Sequence, residues 1–280
     1  MSADEIFRIK FWGVRGSVPC PGPKTVRYGG NTTCMEITCG SHTLIVDAGS
    51  GIRELGINLM KQGGPVNADV FFTHTHLDHI TGFPFFGPFY NPQNSFNLFA
   101  GHLKPPQTLE NVLKSMIIAD PMFPVPASVI LGCCHFQEFT SGDVLKPRDG
   151  VVVKTGPLNH PNGACGYRFE YNDHSIAIIT DTEHPEEGMD ENVLNLVQDA
   201  DVMVYDSAYT DEEYPKFKGW GHSTWQMAVK IAEKANVTKT VLFHHDPAHD
   251  DDRMDEIAEE AAAARFATEP ARENMVVKIC

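Results

Sequence analysis

Residues 73–80 read Thr-His-Thr-His-Leu-Asp-His-Ile and directly follow the apolar run Asp69-Val-Phe-Phe72. Four potential metal ligands lie within six positions at the exit of this predicted strand: His74, His76, Asp78 and His79. Because a strand points alternate side chains to opposite faces, His74 and His76 can converge on one ion. Asp78 and His79 come after a turn and suit a second ion. Imidazole and carboxylate ligands without cysteine are typical of zinc, manganese or iron at a hydrolytic centre, so the stretch predicts a two-metal site.

Length and charge narrow the class of protein. The chain has 280 residues, which we interpret as one α/β domain over 1–280. Thirty-seven acidic and 22 basic residues give a formal charge of −15, so a long nucleic acid is disfavoured as a partner.

Seven cysteines, an odd number with no Cys-x-x-Cys spacing, argue against a disulfide framework. The first ten residues carry charges where a signal peptide needs an apolar core. No window approaches the ~18 apolar residues of a membrane span, which favours a cytoplasmic protein without membrane contact.

Apolar runs and amphipathic stretches alternate along the chain and predict mixed sheets covered by helices. Strands are predicted at 6–12, 33–38, 43–46, 70–73, 151–155, 167–171, 175–180, 202–205 and 239–244. Helices are predicted at 52–61, 108–118, 191–199, 224–234 and 252–265. Two strand ends, Leu44-Ile-Val-Asp47 and Ile178-Ile-Thr-Asp181, share a form that hints at a duplicated architecture with the site at its seam.

The segment 83–139 interrupts this rhythm with interleaved aromatic residues and prolines, beginning Phe83-Pro-Phe-Phe-Gly-Pro-Phe-Tyr90. We interpret it as an insertion whose outer parts are irregular loop around one helix. Its aromatic side chains either pack in the core, wall the substrate pocket or pack on a second subunit, in which case the protein is a homodimer.

Three more ligands are expected at distant strand ends, because one loop cannot supply three side chains to each ion. His160 precedes a glycine-rich turn, Asp181 ends an apolar strand and has two oxygens that can bridge two ions, and His244 follows Val241-Leu-Phe243. The remaining histidines that lack such a context are expected to be surface or structural residues: His42, His102, His135, His174, His184 and His249.

The His-x-His-x-Asp-His motif, the later histidine, the Thr-Asp-Thr aspartate and the last strand-end histidine occur in an order that resembles the metallo-β-lactamase superfamily. The resemblance implies an α/β (α+β) fold, a four-layer αββα sandwich with a dinuclear site at the sheet ends. It implies that one ion is held by His74, His76 and His160, the other by Asp78, His79 and His244, and that Asp181 bridges them. His245 is the rival for the place of His244.

The stretch Gly221-His222-Ser-Thr224 resembles the Gly-His-Ser/Thr motif of the phosphodiesterase branch of that superfamily, which includes ribonuclease Z and phosphoribosyl cyclic phosphodiesterases. There the histidine donates a proton near the leaving oxygen and an acidic residue holds it, which implies this role for His222 and Asp206. The alternative is that His222 merely begins a helix capped by Ser223 or Thr224.

The opening loop, residues 11–33, corresponds to the glycine-rich first loop of the same branch. It concentrates Arg15, Lys24 and Arg27 beside Asn31, and these four are candidate substrate contacts. Two features of known members are missing: the cysteine-rich structural zinc motif of some cyclic phosphodiesterases, and the basic, glycine-rich arm of ribonuclease Z.

These observations predict a metal-dependent hydrolase with two divalent ions, most simply Zn²⁺, with Mn²⁺ or Fe as alternatives. The predicted substrate is a small phosphodiester, such as a cyclic nucleotide or cyclic phosphate. A metal-held hydroxide oriented by Asp78 or Asp181 would attack, and His222 would act as general acid. Hydrolysis of a thioester, lactone or β-lactam, and a non-catalytic metal-dependent sensor, are the alternatives.

Overall fold

The structure, a computed structural model, describes residues 6–280, so Met1–Glu5 lie outside the described residues. Within them the chain forms two seven-stranded sheets. In chain order the strands are β1 Phe7–Gly13, β2 Cys34–Cys39, β3 His42–Val46, β4 Asn67–Phe72, β5 Ser95–Ala100, β6 Cys134–Glu138, β7 Val144–Arg148, β8 Val151–Leu158, β9 Ala164–Tyr171, β10 His174–Ile179, β11 Val202–Asp206, β12 Lys239–Phe243, β13 Thr268–Pro270 and β14 Val276–Lys278.

Both sheets have the same pairing pattern. The strand orders are β14-β1-β2-β3-β4-β5-β6 and β13-β12-β11-β10-β9-β8-β7. In each sheet three adjacent pairings are antiparallel and the other three are parallel. The change occurs at β3 in the first sheet and at β10 in the second, the strands that lead to Asp47 and Asp181. The crevice beyond the carboxyl ends of parallel strands is where ligands bind in open α/β sheets.

Seven α-helices lie in the described part of the chain: α1 Ile52–Lys61, α2 Leu77–Ile80, α3 Leu109–Val112, α4 Ala127–Ile130, α5 Glu191–Val197, α6 Trp225–Lys234 and α7 Asp251–Ala264. A π-helical stretch, Leu113–Ile117, continues α3, and short 3₁₀ helices cover Phe83–Phe85, Gly87–Tyr90, Leu131–Cys133 and Tyr214–Lys216. None of the helices within residues 6–280 has both the length and the apolar character needed to cross a bilayer.

Three apolar clusters separate four layers. Phe7, Ile9 and Phe11, on one face of β1, point into the cluster between the sheets, as the period of two along a strand requires. Ile52 and Leu55, on one side of α1, pack in the cluster outside the first sheet. Residues of α5, α6 and α7 fill the cluster outside the second sheet. The predicted αββα sandwich is therefore confirmed.

The prediction of irregular loop around one helix over 83–139 is wrong in two places. Residues 95–100 and 134–138 form β5 and β6, which extend the first sheet by parallel pairing. Both strands alternate exposed or half-buried residues with more buried ones, and their apolar residues are separated by Asn97, His135 and Gln137. Such short alternations between proline-rich stretches carry a weak local signal, and pairing with a neighbouring strand decides them.

A bidentate ion pair joins the two sheets at one side. Arg148, the last residue of β7, donates from Nε to Asp69 Oδ2 at 2.6 Å and from Nη2 to Asp69 Oδ1 at 2.8 Å. Asp69 lies in β4 of the other sheet, its side chain is fully buried, and Asn97 donates a further hydrogen bond to Oδ1 at 2.7 Å. Loss of the guanidinium would leave a buried carboxylate without its counter-charge.

We expect Arg148→Ala to lower the free energy of unfolding by about 3 kcal/mol, the cost of leaving one partner of a buried ion pair. Lys154→Ala is the matched control, because Lys154 pairs with Glu170 at a half-exposed position and should cost about 1 kcal/mol or less. Urea denaturation of both variants measures the difference. Equal losses would show that the Asp69–Arg148 contact contributes no more than a surface pair.

Candidate metal centre

The candidate centre is built at the carboxyl ends of parallel strands. In the first sheet, β4 runs into Thr73 and the histidine-rich motif, and α2 begins directly after His76. In the second sheet, Asp181 follows β10, Asp206 ends β11 and His244 follows β12. Because these ends meet at one edge, residues far apart in the sequence come within contact distance.

Three of the strand ends turn sharply at a non-glycine residue. Asp47, Asp181 and His244 have φ values of 63°, 61° and 64°. This left-handed region is uncommon for residues with a side chain, and such outliers concentrate at functional sites. All three residues are at most 1 % exposed, and their side chains point into the centre rather than to solvent.

Three histidines form the first wall of the centre. The ligand nitrogens of His74, His76 and His160 lie within 4.8 Å of one another. His160 Nε2 is 3.0 Å from His76 Nδ1, and His160 Nδ1 donates to the carbonyl of Gly221 at 2.8 Å. Burial lowers the pKa of all three imidazoles, so they are neutral near pH 7 and keep a lone pair that can bind a cation.

A second group of two carboxylates and two imidazoles adjoins this wall. His79 Nε2 lies 3.2 Å from Asp181 Oδ2 and 3.4 Å from Asp78 Oδ2. His244 Nε2 lies 3.2 Å from Asp78 Oδ2 and 3.3 Å from Asp181 Oδ1. The same oxygen of Asp181 is 3.7 Å from both His74 Nε2 and His160 Nε2, so Asp181 lies between the two groups.

The carboxylates and imidazoles of this second group shift one another's pKa in opposite directions. Burial alone would raise the pKa of Asp181, but the imidazoles of His244 and His79 hold it well below its usual range. Burial alone would lower the pKa of His79 and His244. Instead Asp181 and Asp78 raise the pKa of His79 well above its ordinary value, and Asp181 and a hydrogen bond to Asp78 raise that of His244 to about 9. A divalent cation would supply the same positive charge and displace these protons.

Unpartnered nitrogens support a cation site. Nε2 of His74 and Nε2 of His79 are buried and face carboxylate oxygens at 3.2 to 3.7 Å, but neither nitrogen makes a contact with hydrogen-bond geometry among residues 6–280. Buried polar atoms of this kind are rare unless an ion or water completes them. The donor set of imidazoles and carboxylates fits zinc, manganese or iron. The two clusters could therefore hold divalent metal ions.

Sequence reasoning missed several residues that position these side chains. Asp47 Oδ2 lies 2.9 Å from His79 Nδ1, and Asp47 Oδ1 accepts the backbone N–H of Thr73 at 2.8 Å. Ser17 donates its backbone N–H to Asp78 Oδ2 at 2.8 Å. A Cβ atom on Gly16 would lie 2.3 Å from the His244 ring, so only glycine fits there. The repeated strand end at Asp47 was the available signal for the first of these contacts.

His222 and Asp206 form a pair beside Asp181. His222 Nδ1 lies 2.8 Å from Asp206 Oδ2, which also accepts the backbone N–H groups of Asp181 and Thr182 at 3.0 and 3.3 Å. The His222 side chain is 11 % exposed, against at most 2 % for His79 and Asp181. The helix cap is Thr224, which accepts the N–H of Met227, so His222 has no capping role.

A cavity of about 410 Å³ opens beside His74 and His76. Its apolar lining includes Leu77, Leu103 and Val112, and no lysine or arginine of the described chain lines it. The aromatic stretch that begins segment 83–139 mostly packs in the core instead, because its three fully buried rings are Phe83, Phe86 and Phe89. The part of the cavity wall that this segment does contribute comes from its later residues, such as Leu103 and Val112.

The opening loop does not bring its cations to the centre. Arg15 was predicted to contact substrate, but it is fully buried and its guanidinium donates to the carbonyls of Gly29, Asp246 and His249, so that prediction is wrong. Lys24 and Arg27 are exposed and pair with acidic residues in and just before α7, Asp250, Asp252 and Asp255. Asn31 accepts a hydrogen bond from Ser50 and borders a separate cleft. Substrate contacts by Lys24, Arg27 and Asn31 stay predictions.

Two further histidines, His245 and His102, lie near the centre but outside the two ligand groups. The structure brings His244, and not His245, to Asp78 and Asp181, since His245 Nε2 donates to the carbonyl of Ala271 and burial lowers the pKa of His245 to about 3. His102, expected to be a surface or structural residue, lines the cavity, and its Nε2 lies 3.2 Å from Thr75 Oγ1.

Comparison with known sequences yields one family and a set of relatives. A family model described as a beta-lactamase superfamily domain matches residues 42–245. A ribonuclease Z from Haloarcula marismortui is 22 % identical over an alignment of 286 positions, gaps included, that covers 85 % of each chain. A ribonuclease Z from Sulfurisphaera tokodaii is 35 % identical over 111 residues, but the match spans only 40 % of this chain and 30 % of that protein.

Solved structures share the fold at low sequence identity. A metallo-beta-lactamase fold protein from Bacillus subtilis, YhfI, has a TM-score of 0.73 and 14 % identity over 97 % of this chain and 98 % of that one. A diphosphatase from the PhnP family has a TM-score of 0.71 and 17 % identity over 98 % and 97 %. The short form of human tRNase Z has a TM-score of 0.65 and 19 % identity over 98 % and 99 %.

The family match, the ribonuclease Z relatives and the histidine and aspartate clusters confirm the prediction of a metal-dependent hydrolase related to the phosphodiesterase branch. The chain belongs to the beta-lactamase superfamily, because the model of that family matches most of the length of the chain.

Proposed function

We propose that the protein hydrolyses a small phosphodiester, such as a cyclic nucleotide or cyclic phosphate, with two divalent ions, most simply Zn²⁺. The convergence of buried, unpartnered imidazole nitrogens on Asp181, next to the His222–Asp206 pair, is the observation that carries this proposal. A metal cluster alone would serve many hydrolases. The additional histidine, which is paired with the buried carboxylate of Asp206, is what points to a leaving group that needs a proton.

In this proposal His74, His76 and His160 would hold one ion, and Asp78, His79 and His244 would hold the other. Asp181, which lies between the two groups, would contribute to both. When bound, such ions activate water and stabilise the negative charge that develops on phosphoryl oxygens. Asp47 would orient His79, and the Gly221 carbonyl would orient His160, each by accepting a hydrogen bond from Nδ1. Such outer contacts fix the ring orientation of metal-binding histidines.

His222 would donate the proton to the leaving oxygen. Its Nδ1 is engaged by Asp206, which leaves Nε2 for the substrate and fixes the tautomer. Asp206 is itself fully buried and accepts four backbone N–H groups, so it cannot rotate away without leaving them unpaired: those of Asp181, Thr182, Ala208 and Ser223. Asp78, held by the backbone N–H of Ser17, would orient the attacking water.

Two properties favour a small substrate over a long RNA. The net charge of −15 opposes the approach of a polyanion, and the cavity beside His76 is lined by neutral residues. A ribonuclease activity is the second candidate, because relatives over most of the chain are named ribonuclease Z. A cytoplasmic location and a homodimer stay predictions.

We expect His222→Ala to lower kcat on a cyclic nucleotide about 10²- to 10⁴-fold, the usual contribution of a general acid. The loss on bis(4-nitrophenyl) phosphate should be much smaller, since 4-nitrophenolate leaves without a proton. His174→Ala is the matched control, because His174 is part-exposed and pairs with Asp201 in another part of the second sheet. Metal content should be unchanged in both variants. Unaltered turnover of both esters by His222→Ala would remove His222 from the mechanism.

We expect the wild-type protein to hydrolyse a cyclic nucleotide with a higher kcat/KM than a precursor RNA. Lowering salt from about 200 to 50 mM should not raise RNA cleavage, because an acidic surface gains nothing from counterion release. Steady-state rates on both substrates, with a thioester as a third, test this. RNA cleavage that accelerates at low salt would favour the ribonuclease. Turnover of the thioester alone would contradict the phosphodiesterase.

A further inference from the structure

The loop that leads into His222 displays a tryptophan. It reads Tyr214-Pro-Lys-Phe-Lys-Gly-Trp-Gly221. Trp220 is 62 % exposed, whereas Trp12 and Trp225 are each 7 % exposed. One exposed apolar side chain is ordinary on a protein surface, so the backbone and the neighbours of Trp220 decide whether it has a role.

The backbone on both sides of Trp220 is tied to one carboxylate. Glu183 accepts the N–H groups of Gly219 and Gly221 at 2.9 and 2.8 Å and the hydroxyl of Tyr214 at 2.9 Å. Glu183 lies two residues after Asp181, so the same turn positions the metal centre and the loop. The indole is therefore held out to solvent by a fixed backbone.

The loop also packs directly on the centre. Gly221 has φ 87°, and a Cβ atom there would lie 2.3 Å from His160 Nδ1, so no other residue fits. The carbonyl of Gly221 accepts the hydrogen bond from His160 at 2.8 Å. Trp220 is thus the neighbour in sequence of a residue in contact with the candidate metal centre.

A continuous row of rings connects Trp220 to His222. Trp220 lies edge-on to Phe217, with 5.4 Å between the ring centroids. Phe217 stacks on Tyr209, with 4.5 Å between centroids and an interplanar angle of 8°. Tyr209 in turn lies edge-on to the His222 ring, with 6.1 Å between centroids. We call Trp220, Phe217 and Tyr209 the aromatic row. Phe217 packs against the exposed ring, Tyr209 packs against Phe217, and the row ends at the proposed proton donor.

We infer that the aromatic row is a stacking platform for the base of a nucleotide substrate. The inference rests on the proposed function and names its substrate class, nucleotide-derived phosphodiesters. In a cyclic nucleotide the leaving oxygen remains attached to the ribose when the P–O bond breaks. Since His222 would protonate that oxygen, the ribose and its base would lie on the side of the row. A base stacks on an exposed indole without needing base-specific hydrogen bonds. Lys216 is exposed and forms no ion pair within residues 6–280, which favours an anionic ligand at this rim of an acidic protein.

The test compares AMP with ribose 5-phosphate, two phosphates that differ by the base. Affinities are measured by calorimetry on the full-length, metal-loaded protein, and indole fluorescence is recorded in parallel because Trp220 is the one exposed tryptophan of the three. Trp220→Ala should reduce the ratio of AMP affinity to ribose 5-phosphate affinity about tenfold, and Trp220→Phe should restore most of it. AMP should quench the wild-type fluorescence.

Phe266→Ala is the matched control. Phe266 is 92 % exposed but precedes the amino end of β13, at the opposite end of the second sheet from His244, so the affinity ratio should not change. An unchanged ratio in Trp220→Ala would overturn the inference. So would a change of oligomeric state in that variant with AMP binding intact, because the row would then be a subunit interface. Absence of phosphodiesterase turnover in the wild type would instead refute the proposed function, while the binding comparison stands by itself.

Discussion

The buried carboxylate of Asp181 is the constraint on which the rest of the centre depends. It is 1 % exposed, and imidazoles of His74, His79, His160 and His244 lie within 3.7 Å of its oxygens. A buried charge without compensation costs several kcal/mol, so this carboxylate requires positive charge around it. The four histidines come from both sheets, and the fold must bring the two sheet edges together to satisfy a single aspartate.

The duplicated sheet pattern explains how the chain achieves this. Each sheet changes from antiparallel to parallel pairing at the strand that leads to a buried aspartate, Asp47 in one half and Asp181 in the other. The two aspartates have different roles. Asp181 faces the histidine nitrogens of both groups, whereas Asp47 contacts Nδ1 of His79, the ring nitrogen that does not face Asp181. One half thus provides the shared oxygen atoms and the other provides an orienting contact.

Much of the site could be predicted from the sequence because its residues lie at strand exits with strong local patterns. His74, His76, His160, Asp181 and His244 follow apolar runs or precede a glycine-rich turn, and the structure brings them together. Arg15 was misjudged because its sequence context gives no sign of burial. Three backbone carbonyls from distant loops surround its guanidinium, and such tertiary contacts have no local signature. Strands β5 and β6 were missed for the same reason.

The most direct test of a cation site around Asp181 is a crystal structure of the zinc-loaded protein with anomalous data at the zinc edge. Two anomalous peaks about 3.5–4 Å apart are predicted, with nitrogen ligands at about 2.0–2.1 Å. One peak should contact the wall of three histidines, and the other should contact Asp78, His79 and His244. Saturating zinc that leaves these residues unliganded, or ions bound only elsewhere, would contradict the account.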